Sequence, residues 1–415
     1  MTGFCVVSLS VLFASSAAPS ADTWPQWRGP DRSGVISGAK PWPKQLKGDA
    51  LTELWKVSDL GPSYSGPIVG EDRVFTTETI DKKTEVVTAF DRKTGKRIWQ
   101  QKWDGSLTVP FFAATNGSWI RATPAYDGES LFVAGIRDLL VCLNAATGDV
   151  RWKIDLAAKY ESGVPAFGCA SSPLIDKDAV YVQAGGGVVK IEKKTGKVIW
   201  RVLESKDAMS GSAFSSPVLG TFGTTEAIVV QTRSQLAGLD RTTGKVLWSR
   251  DVPSFRGMNI LTPTQFGDGF FTSTYGGNTQ LFNVRSSAEG HRVEDGWAFK
   301  YEGNMSSPVI VKDHAYLLGK DQRLICVNLK TGKQTWRTEK SFGKYWSLIA
   351  NGDTLLGLDQ KGILYLFEAN PEQFTLLDER KISDSESWAH LAVAGDNIVV
   401  RDLNRLTAYT WSAKK

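Results

Sequence analysis

Residues 87–99 read VTAFDRKTGKRIW, and variants of this stretch recur along the chain. Its first part alternates apolar and polar residues, which is the two-residue period of a β-strand. A turn follows, because the Asp91 side chain can bond its own backbone and Gly95 accepts a positive φ. A second apolar segment ends at Trp99. The stretch therefore predicts a β-hairpin that closes on a tryptophan.

The same hairpin appears five more times. The copies are LVCLNAATGDVRW at 140–152, VVKIEKKTGKVIW at 188–200, LAGLDRTTGKVLW at 236–248, LFNVRSSAEGHRVEDGW at 281–297 and LICVNLKTGKQTW at 324–336. The copy at 281–297 has a lengthened turn. A repeat of about 40–50 residues is typical of a propeller or a solenoid.

Two further strands precede each hairpin. The inner one starts with a small residue and a proline, in the pairs Gly66-Pro67, Thr123-Pro124, Ser172-Pro173, Ser216-Pro217, Thr262-Pro263 and Ser307-Pro308. A polar turn and an apolar run such as AVYVQA follow that strand. Each unit therefore predicts four antiparallel strands, which form one blade of a β-propeller. The fold class is all-β.

The units add up to eight blades. Six end on the tryptophans of the hairpins, and a seventh runs from Trp346 to Leu377. The eighth starts at Trp388 and stops after its third strand, while residues 53–57 form an outer strand without a blade. Pairing the two removes open edges and closes the ring. We therefore predict an eight-bladed propeller over 52–415, with seven blades as the alternative if the last unit is misassigned.

The N-terminus precedes this ring. Residues 1–21 carry no charged side chain and include an apolar run and then small residues, which predicts a signal peptide; a short N-terminal anchor is the alternative. Cys5 lacks a lipobox context. Residues 22–51, rich in proline and tryptophan, are expected to lie as an arm across the outside of the ring. We expect a periplasmic or secreted protein with no membrane span in the mature chain.

Three cysteines remain beyond the signal peptide. An odd number permits at most one internal disulfide among Cys142, Cys169 and Cys326, and the simpler interpretation is that they are buried small hydrophobic residues. No CxxC motif is present, and no histidine neighbours a cysteine at the spacing of metal ligands. A zinc site is therefore not expected.

Composition excludes several classes of protein. The 415 residues are 41% hydrophobic and carry a net charge of +5, which fits neither a disordered chain nor a nucleic-acid binder with dense basic stripes. The 15 tryptophans and 3 histidines favour a β-rich repeat protein over a histidine-based catalyst. The Thr-Gly-Lys turns lack the Ser or Thr that follows Lys in a phosphate-binding P-loop.

The pattern A-x-D-x-x-T-G-x-x-x-W resembles the pyrroloquinoline-quinone (PQQ) type propeller repeat, and the resemblance covers nearly all of 52–415. It implies that the repeat tryptophan docks against the next blade and ties the blades together. The residues concerned are Trp99, Trp152, Trp200, Trp248 and Trp336 with Gly95, Gly148, Gly196, Gly244 and Gly332.

The resemblance implies several functions. The family with this repeat includes quinoprotein dehydrogenases with PQQ and calcium in the central funnel, the lipoprotein of the outer-membrane barrel-assembly machinery, and secreted propellers of no settled activity. No adjacent cysteines and no cluster of calcium-type oxygen ligands appear here. We therefore expect a monomeric, non-catalytic scaffold without cofactor that binds an envelope protein or an extracellular polymer. The alternative is a PQQ- and calcium-dependent alcohol or sugar dehydrogenase.

Ligands of propellers usually meet the funnel formed by the loops that lead into the inner strands. Here those loops are 100–122, 153–171, 201–215, 249–261, 298–306, 337–345 and 378–387. Aromatic residues beside cations suggest an interaction surface, whereas the alternative is that they only pack the loops onto the ring. The candidates are Phe111, Phe112, Trp119, Arg121, Phe255, Arg256, Lys344, Tyr345, Trp346 and, on the axis, His390.

Overall fold

The computed structural model describes residues 22–205, 214–303 and 305–412, which form β-strands and the turns and longer loops that connect them, with a few short helices. The predicted signal peptide lies outside the described residues. The N-terminal part holds β1 (Val35–Ile36) and β2 (Leu51–Val57), separated by a short 3-10 helix at Gly48–Ala50. Within the described part of the chain, no helix is both long and apolar enough to cross a bilayer.

The first four blades follow one another along the chain. Blade 1 is β3 (Ile68–Val69), β4 (Arg73–Ile80), β5 (Thr84–Asp91) and β6 (Arg97–Asp104); blade 2 is β7 (Ala125–Tyr126), β8 (Ser130–Ala134), β9 (Leu139–Asn144) and β10 (Val150–Asp155). Blade 3 is β11 (Leu174–Asp176), β12 (Ala179–Ala184), β13 (Gly187–Glu192) and β14 (Val198–Val202); blade 4 is β15 (Val218–Phe222), β16 (Thr225–Gln231), β17 (Gln235–Asp240) and β18 (Val246–Asp251).

The other four complete the ring. Blade 5 is β19 (Thr264–Phe266), β20 (Gly269–Ser273), β21 (Thr279–Ser287) and β22 (Gly290–Phe299); blade 6 is β23 (Val309–Val311), β24 (His314–Leu318), β25 (Leu324–Asn328) and β26 (Gln334–Arg337). Blade 7 is β27 (Trp346–Asn351), β28 (Thr354–Asp359), β29 (Ile363–Glu368) and β30 (Leu376–Lys381); blade 8 holds β31 (Ala392–Ala394), β32 (Asn397–Arg401) and β33 (Leu406–Trp411). The connectors add α1 (Leu156–Tyr160) and 3-10 helices at Phe111–Asn116 and Phe255–Gly257.

The eight-bladed prediction is confirmed, and the ring closes as expected. The strand order in each sheet follows the chain, with two exceptions: β2 pairs antiparallel with β33 and becomes the outer strand of blade 8, and β1 pairs in parallel with β27 as a fifth strand of the blade 7 sheet. The two ends of the propeller therefore share one blade. Closure of this kind leaves no open blade at either end of the ring.

The repeat tryptophans tie neighbouring blades as the resemblance implies. The indole Nε1–H of Trp99 donates to Ala145 O of blade 2 at 2.9 Å, and that of Trp152 donates to Lys193 O of blade 3 at 2.8 Å. Gly148 has φ +80°, and a Cβ there would lie 2.6 Å from the Trp99 ring. Glycine is therefore needed both for the backbone conformation and for the close approach of the indole.

A second set of contacts joins the blades around the axis, at the small residue before each proline. In blades 2 to 6 this residue is Ser or Thr, and its hydroxyl accepts a hydrogen bond from the backbone N–H of the equivalent residue in the preceding blade. The bonds run from Gly66 N to Thr123 Oγ1 at 2.9 Å, Thr123 N to Ser172 Oγ at 3.0 Å, Ser172 N to Ser216 Oγ at 2.9 Å, Ser216 N to Thr262 Oγ1 at 3.1 Å and Thr262 N to Ser307 Oγ at 3.2 Å. The recurrent Ser or Thr therefore satisfies buried amides that have no ladder partner.

The position of the N-terminal arm differs from the prediction. Residues 24–36 do not lie across the outside of the ring but enter its axis. The backbones of Trp24 and Val69 exchange two hydrogen bonds at the end of blade 1, and β1 pairs in parallel with β27 of blade 7. Only then does the chain run outwards, where Leu46 N donates to Asp378 Oδ2 in β30 at 2.7 Å. The arm thus fills the axial channel, since its guanidinium groups bond carbonyls that face the axis.

The three cysteines beyond the signal peptide are free and buried, in agreement with the simpler interpretation. Cys142 lies in β9 and Cys326 in β25, among the apolar residues that pack between blades. Burial raises the pKa of both thiols to about 11, so they are protonated at neutral pH.

Candidate functional site

The loops that lead into the inner strands surround a cup of about 760 Å³ on the propeller axis. We call the face on which it opens the cup face. The first six of the seven predicted loops contribute to its lining, with residues that include Phe112, Phe167, Phe214, Phe255, Met305 and Tyr345. A cavity of this size is typical of ligand sites in proteins.

The arm forms the floor of the cup. Trp27 is half-buried at the tip of a tight loop, with Arg28 and Arg32 fully buried behind it. Arg32 donates to Pro217 O and Ser172 O, both at 2.9 Å, and Arg28 donates to Ser33 O and Pro308 O. The guanidinium carbons lie 5.5 and 5.7 Å from the Trp27 ring centroid. The ring is therefore held from below by two cations that bridge blades 3, 4 and 6.

Burial lowers the pKa of both floor arginines without removing their charge. Desolvation lowers the pKa of Arg28 to about 10 and that of Arg32 to about 9, and for Arg32 the nearby Arg28 adds to the effect. Both remain cationic at neutral pH, because their pKa values stay above 7. The floor therefore presents an aromatic surface with positive charge beneath it.

His390 completes the floor on the side of blade 8. Its ring stacks on Trp24 at 6.5 Å and meets Trp27 edge-on at 6.0 Å, while Nδ1 lies 2.9 Å from Leu391 O. Burial, together with the charge of Arg28, lowers its pKa to about 3. His390 is therefore neutral at physiological pH and faces the axis as a packed aromatic group.

Four phenylalanines form one wall of the cup. Neighbouring ring centroids are 5.6 Å apart between Phe111 and Phe112, 6.1 Å between Phe112 and Phe167, and 5.8 Å between Phe167 and Phe214. Arg233 continues the row, with its guanidinium carbon 4.9 Å from the Phe214 centroid. This phenylalanine wall runs from the exposed rim into the cup.

The opposite wall is a stack of three rings. Trp388 lies 4.8 Å from Tyr64 and 6.1 Å from Tyr345, with interplanar angles of 20° and 6°. Arg121 stands over Tyr64 at 5.7 Å and donates to Gly117 O at 2.6 Å. Burial lowers the pKa of the Arg121 guanidinium. We call these three rings the stacked wall.

The described lining of the cup is cationic. Among the described residues that line it are Arg121, Arg233 and Arg256, and none of those lining residues is Asp or Glu. Glu386 lies near the stacked wall, where its carboxylate accepts the Nε1–H of Trp388 at 3.2 Å and an amide hydrogen of Gln360 at 2.9 Å. The described lining therefore favours anions.

These residues do not fit the calcium ion that the PQQ-type resemblance suggests. Calcium takes six to eight oxygen ligands, mostly carboxylates and carbonyls. Nowhere in the described ranges do three His, Cys, Asp or Glu side chains come together at metal-binding distance. The charged groups among the described lining residues of the cup are guanidinium groups, so repulsion of a cation adds to the shortage of ligands.

Six of the ten predicted site residues line the cup. These are Phe112, Arg121, Phe255, Arg256, Tyr345 and His390. Phe111 stands on the rim with 91% of its surface exposed. Trp119 lies behind Tyr64, edge-on at 5.5 Å, and Lys344 belongs to a separate shallow groove with Gln360 and Lys361.

Trp346 is not part of a surface. It is 1% exposed, stacks on Tyr365 at 5.1 Å and meets Phe342 at 4.6 Å in the core between blades 6 and 7. Trp346 begins β27, an inner strand that is buried along its whole length, so its side chain packs in the core and does not lie on the loop. The prediction for this residue was wrong.

Apart from His390, the floor was not predicted from the sequence, and neither were parts of both walls. Trp27, Tyr64, Phe167, Phe214, Arg233 and Trp388 line the cup without having been predicted. Trp388 and Phe214 lie at the ends of the predicted connectors, so aromatic residues in those segments could have been included. Trp27 carried no such signal, because the arm was expected outside the ring.

The chain is similar in sequence to several known proteins. A family model described as outer membrane protein assembly factor BamB matches residues 82–338. BamB of Yersinia pestis is 21% identical over 376 residues, which cover 87% of this chain and 89% of that protein. A shorter match, 30% identical over 155 residues, is to the serine/threonine-protein kinase AfsK of Streptomyces griseus; it covers 36% of this chain and only 17% of the kinase.

Solved structures show the same fold. BamB from Moraxella catarrhalis superposes with a TM-score of 0.63 at 15% identity, over 87% of this chain and 99% of that one. A europium-containing methanol dehydrogenase superposes with a TM-score of 0.56 at 12% identity, over 94% and 98% of the two chains. At these identities the likeness is one of fold, since scaffolds and enzymes share it.

Proposed function

Because the chain belongs to the family of outer membrane protein assembly factor BamB, we propose that it is a non-catalytic binding scaffold of the cell envelope. It engages a protein or an extracellular polymer through the cup face. The repeats build a rigid ring, the arm closes the channel from below, and the loops above are left to contact a partner.

The observation that carries the proposal is the exposure of aromatic rings on the cup rim. Phe111 is 91% exposed, Phe112 55% and Phe255 51%, although large apolar side chains are normally buried. They belong to two 3-10 helices on connectors from blades 1 and 4, on different sides of one cup. Exposed aromatic residues beside arginine are the composition of protein-binding hot spots.

The alternative, a PQQ- and calcium-dependent dehydrogenase, finds less support in the same cup. Its described lining offers guanidinium groups and aromatic rings instead of the carboxylates that calcium requires. His390 is also a poor candidate for a catalytic base, because it is buried between two tryptophans and bonds a backbone carbonyl.

The proposal is tested by affinity capture from solubilised envelopes of the source bacterium, with quantitative mass spectrometry. The rim variant replaces Phe111, Phe112 and Phe255 by Ala. The matched control is Ile199→Ala, which removes an aliphatic side chain that is 48% exposed on the outer strand β14. We expect captured partners to fall at least about fivefold with the rim variant and to be unchanged with the control. Equal capture by both proteins would contradict a binding role for the cup face.

A further inference from the structure

The positive charge of the cup is arranged around its aromatic surfaces. Arg121 stands over Tyr64 of the stacked wall, Arg233 over Phe214 of the phenylalanine wall, and Arg256 over Phe255 at 5.2 Å. In each case the guanidinium group is held next to a ring that borders the same cavity. A ligand that places an aromatic ring between the walls would therefore have a cation on either side of it.

The floor adds charge of the same sign. Arg28 and Arg32 bond only backbone carbonyls among their described hydrogen-bond partners, so no carboxylate neutralises them by direct contact. Asp31 of the same loop is exposed, and its carboxylate accepts bonds from the backbone and hydroxyl of Ser33. Charges in a concave site with low-dielectric walls reinforce one another, so the described surface of the cup attracts anions.

The phenylalanine wall indicates the length of the ligand. Phe214 and Phe167 are half-buried, Phe112 is 55% exposed and Phe111, at the outer end, is 91% exposed. A small ligand on the floor beside Trp27 would leave Phe111 and Phe112 uncovered. A segment that runs from the floor to the rim would cover the whole row.

We propose that the cup binds an acidic, aromatic segment of a protein partner, which enters from the rim with its aromatic side chains between the two walls and its carboxylates on Arg121 and Arg256. This inference rests on the proposed function and specifies the partner. Arg121 is the main determinant, because Arg233 and Arg256 also border a neighbouring groove of about 860 Å³ that contains Glu204 and Asp251.

Binding is measured by fluorescence polarisation with labelled octapeptides. One peptide alternates Asp or Glu with Phe or Tyr, a second has Lys at every acidic position, and a third keeps the acids but replaces every aromatic residue by Ala. We expect the acidic aromatic peptide to bind at least about tenfold more tightly than either of the others, and its affinity to fall as salt screens the arginines. Equal affinity for the Lys peptide, or for the Ala peptide, would overturn the inference.

Variants of the protein locate the site. Arg121→Gln and Arg256→Gln should each weaken the acidic peptide about five- to tenfold, as expected for a lost charge-assisted contact. Arg256 is exposed, so its variant keeps the test valid if the loop of Arg121 is disturbed. Arg292→Gln, an exposed cation on the extended hairpin of blade 5, is the control and should bind like the wild type. Unchanged affinity in both cup variants would overturn the site.

Peptide length separates a segment from a small ligand. We expect a dipeptide of Asp and Phe to bind at least about tenfold more weakly than the octapeptide, because it cannot reach from floor to rim; equal affinity would overturn the inference. The two proposals fail separately. If the rim variant loses its partners but the peptides show no preference for acidic residues, the scaffold role is supported and the proposal of an acidic segment is overturned. If capture ignores the rim while the peptide binds, the scaffold role is the one that fails.

Discussion

Trp55 lies against Gly95 where the ring closes. Trp55 belongs to β2, the N-terminal strand that completes blade 8, and Gly95 belongs to the Thr-Gly-Lys turn of blade 1. The indole Nε1–H donates to Arg92 O at 2.8 Å, and a Cβ on Gly95 would lie 2.7 Å from the ring. The contact that joins neighbouring blades along the chain therefore also joins its two ends.

Gly95→Ala should destabilise the protein more than an ordinary glycine substitution in a turn. Gly95 has φ +67°, so alanine adds backbone strain of about 1 kcal/mol and also displaces the indole, at about 1–3 kcal/mol more. The measurement is the denaturant midpoint followed by circular dichroism. Gly352→Ala is the control, because Gly352 has φ +58° and no atom within 4 Å of the added Cβ. Equal losses in the two variants would contradict the role of the Trp55 contact.

Arg32→Met should weaken the folded state although Arg32 precedes every repeat in the sequence. The variant keeps a long side chain but makes it apolar and leaves Ser172 O and Pro217 O without their donor, so we expect a loss of about 2–5 kcal/mol in the free energy of unfolding. Thermal unfolding measures it. The control, Arg292→Met, changes a side chain that is 77% exposed and should stay within about 0.5 kcal/mol of the wild type. A similar small effect for Arg32→Met would show that the arm is not needed to hold the axis.

The ring was predictable because its information is local and repeated. Each hairpin carries its own turn, its glycine and its tryptophan. The unassigned strand at 53–57 could pair only with the last blade, which lacked its fourth strand. The arm was not predictable in the same way. Arg28 and Arg32 bond carbonyls just before the inner strands of blades 3, 4 and 6, and those carbonyls are brought together only by the closed ring. The part of the floor that the arm forms was missed for the same reason, whereas His390 and the rim residues lie on segments that the repeat locates.

Asp138 should make stability depend on pH. Its carboxylate is buried on the turn between β8 and β9, accepts Gly185 N–H at 2.7 Å and contacts the Cys169 thiol. Burial raises its pKa to about 7. The folded state therefore holds a proton that the unfolded state releases near pH 4, so the contribution of Asp138 to the free energy of unfolding falls as pH rises from about 4 to about 7.

The test compares the wild type with Asp138→Asn, which keeps a carbonyl oxygen for Gly185 but does not ionise. Between pH 5 and 8 the wild type should lose on the order of 1–3 kcal/mol relative to the variant. Asp384→Asn, at a side chain that is 92% exposed, is the control and should follow the wild type. A wild type that gains stability relative to Asp138→Asn as pH rises would contradict the burial argument.

PQQ and calcium should not bind the cup as a pair. Titration with PQQ, with and without calcium, is followed by tryptophan fluorescence and by the absorbance of the quinone. Trp27 and Trp388 line the cup, so occupation would alter their emission. Because PQQ is an anion, we expect at most a weak response that salt removes and that calcium does not strengthen. Saturable, calcium-dependent binding near one to one would favour the dehydrogenase instead.

The most direct test of the scaffold role is site-specific photo-crosslinking in intact cells. A photoreactive phenylalanine analogue replaces Phe111 or Phe255 on the cup rim, or Ile199 or Leu376 on outer strands, where all four side chains are at least 41% exposed. We expect the same discrete protein adduct from both rim positions, lost with Arg121→Gln, and no such adduct from the outer strands. Adducts that arise only from the outer strands, with none from the rim, would contradict a scaffold role of the cup face.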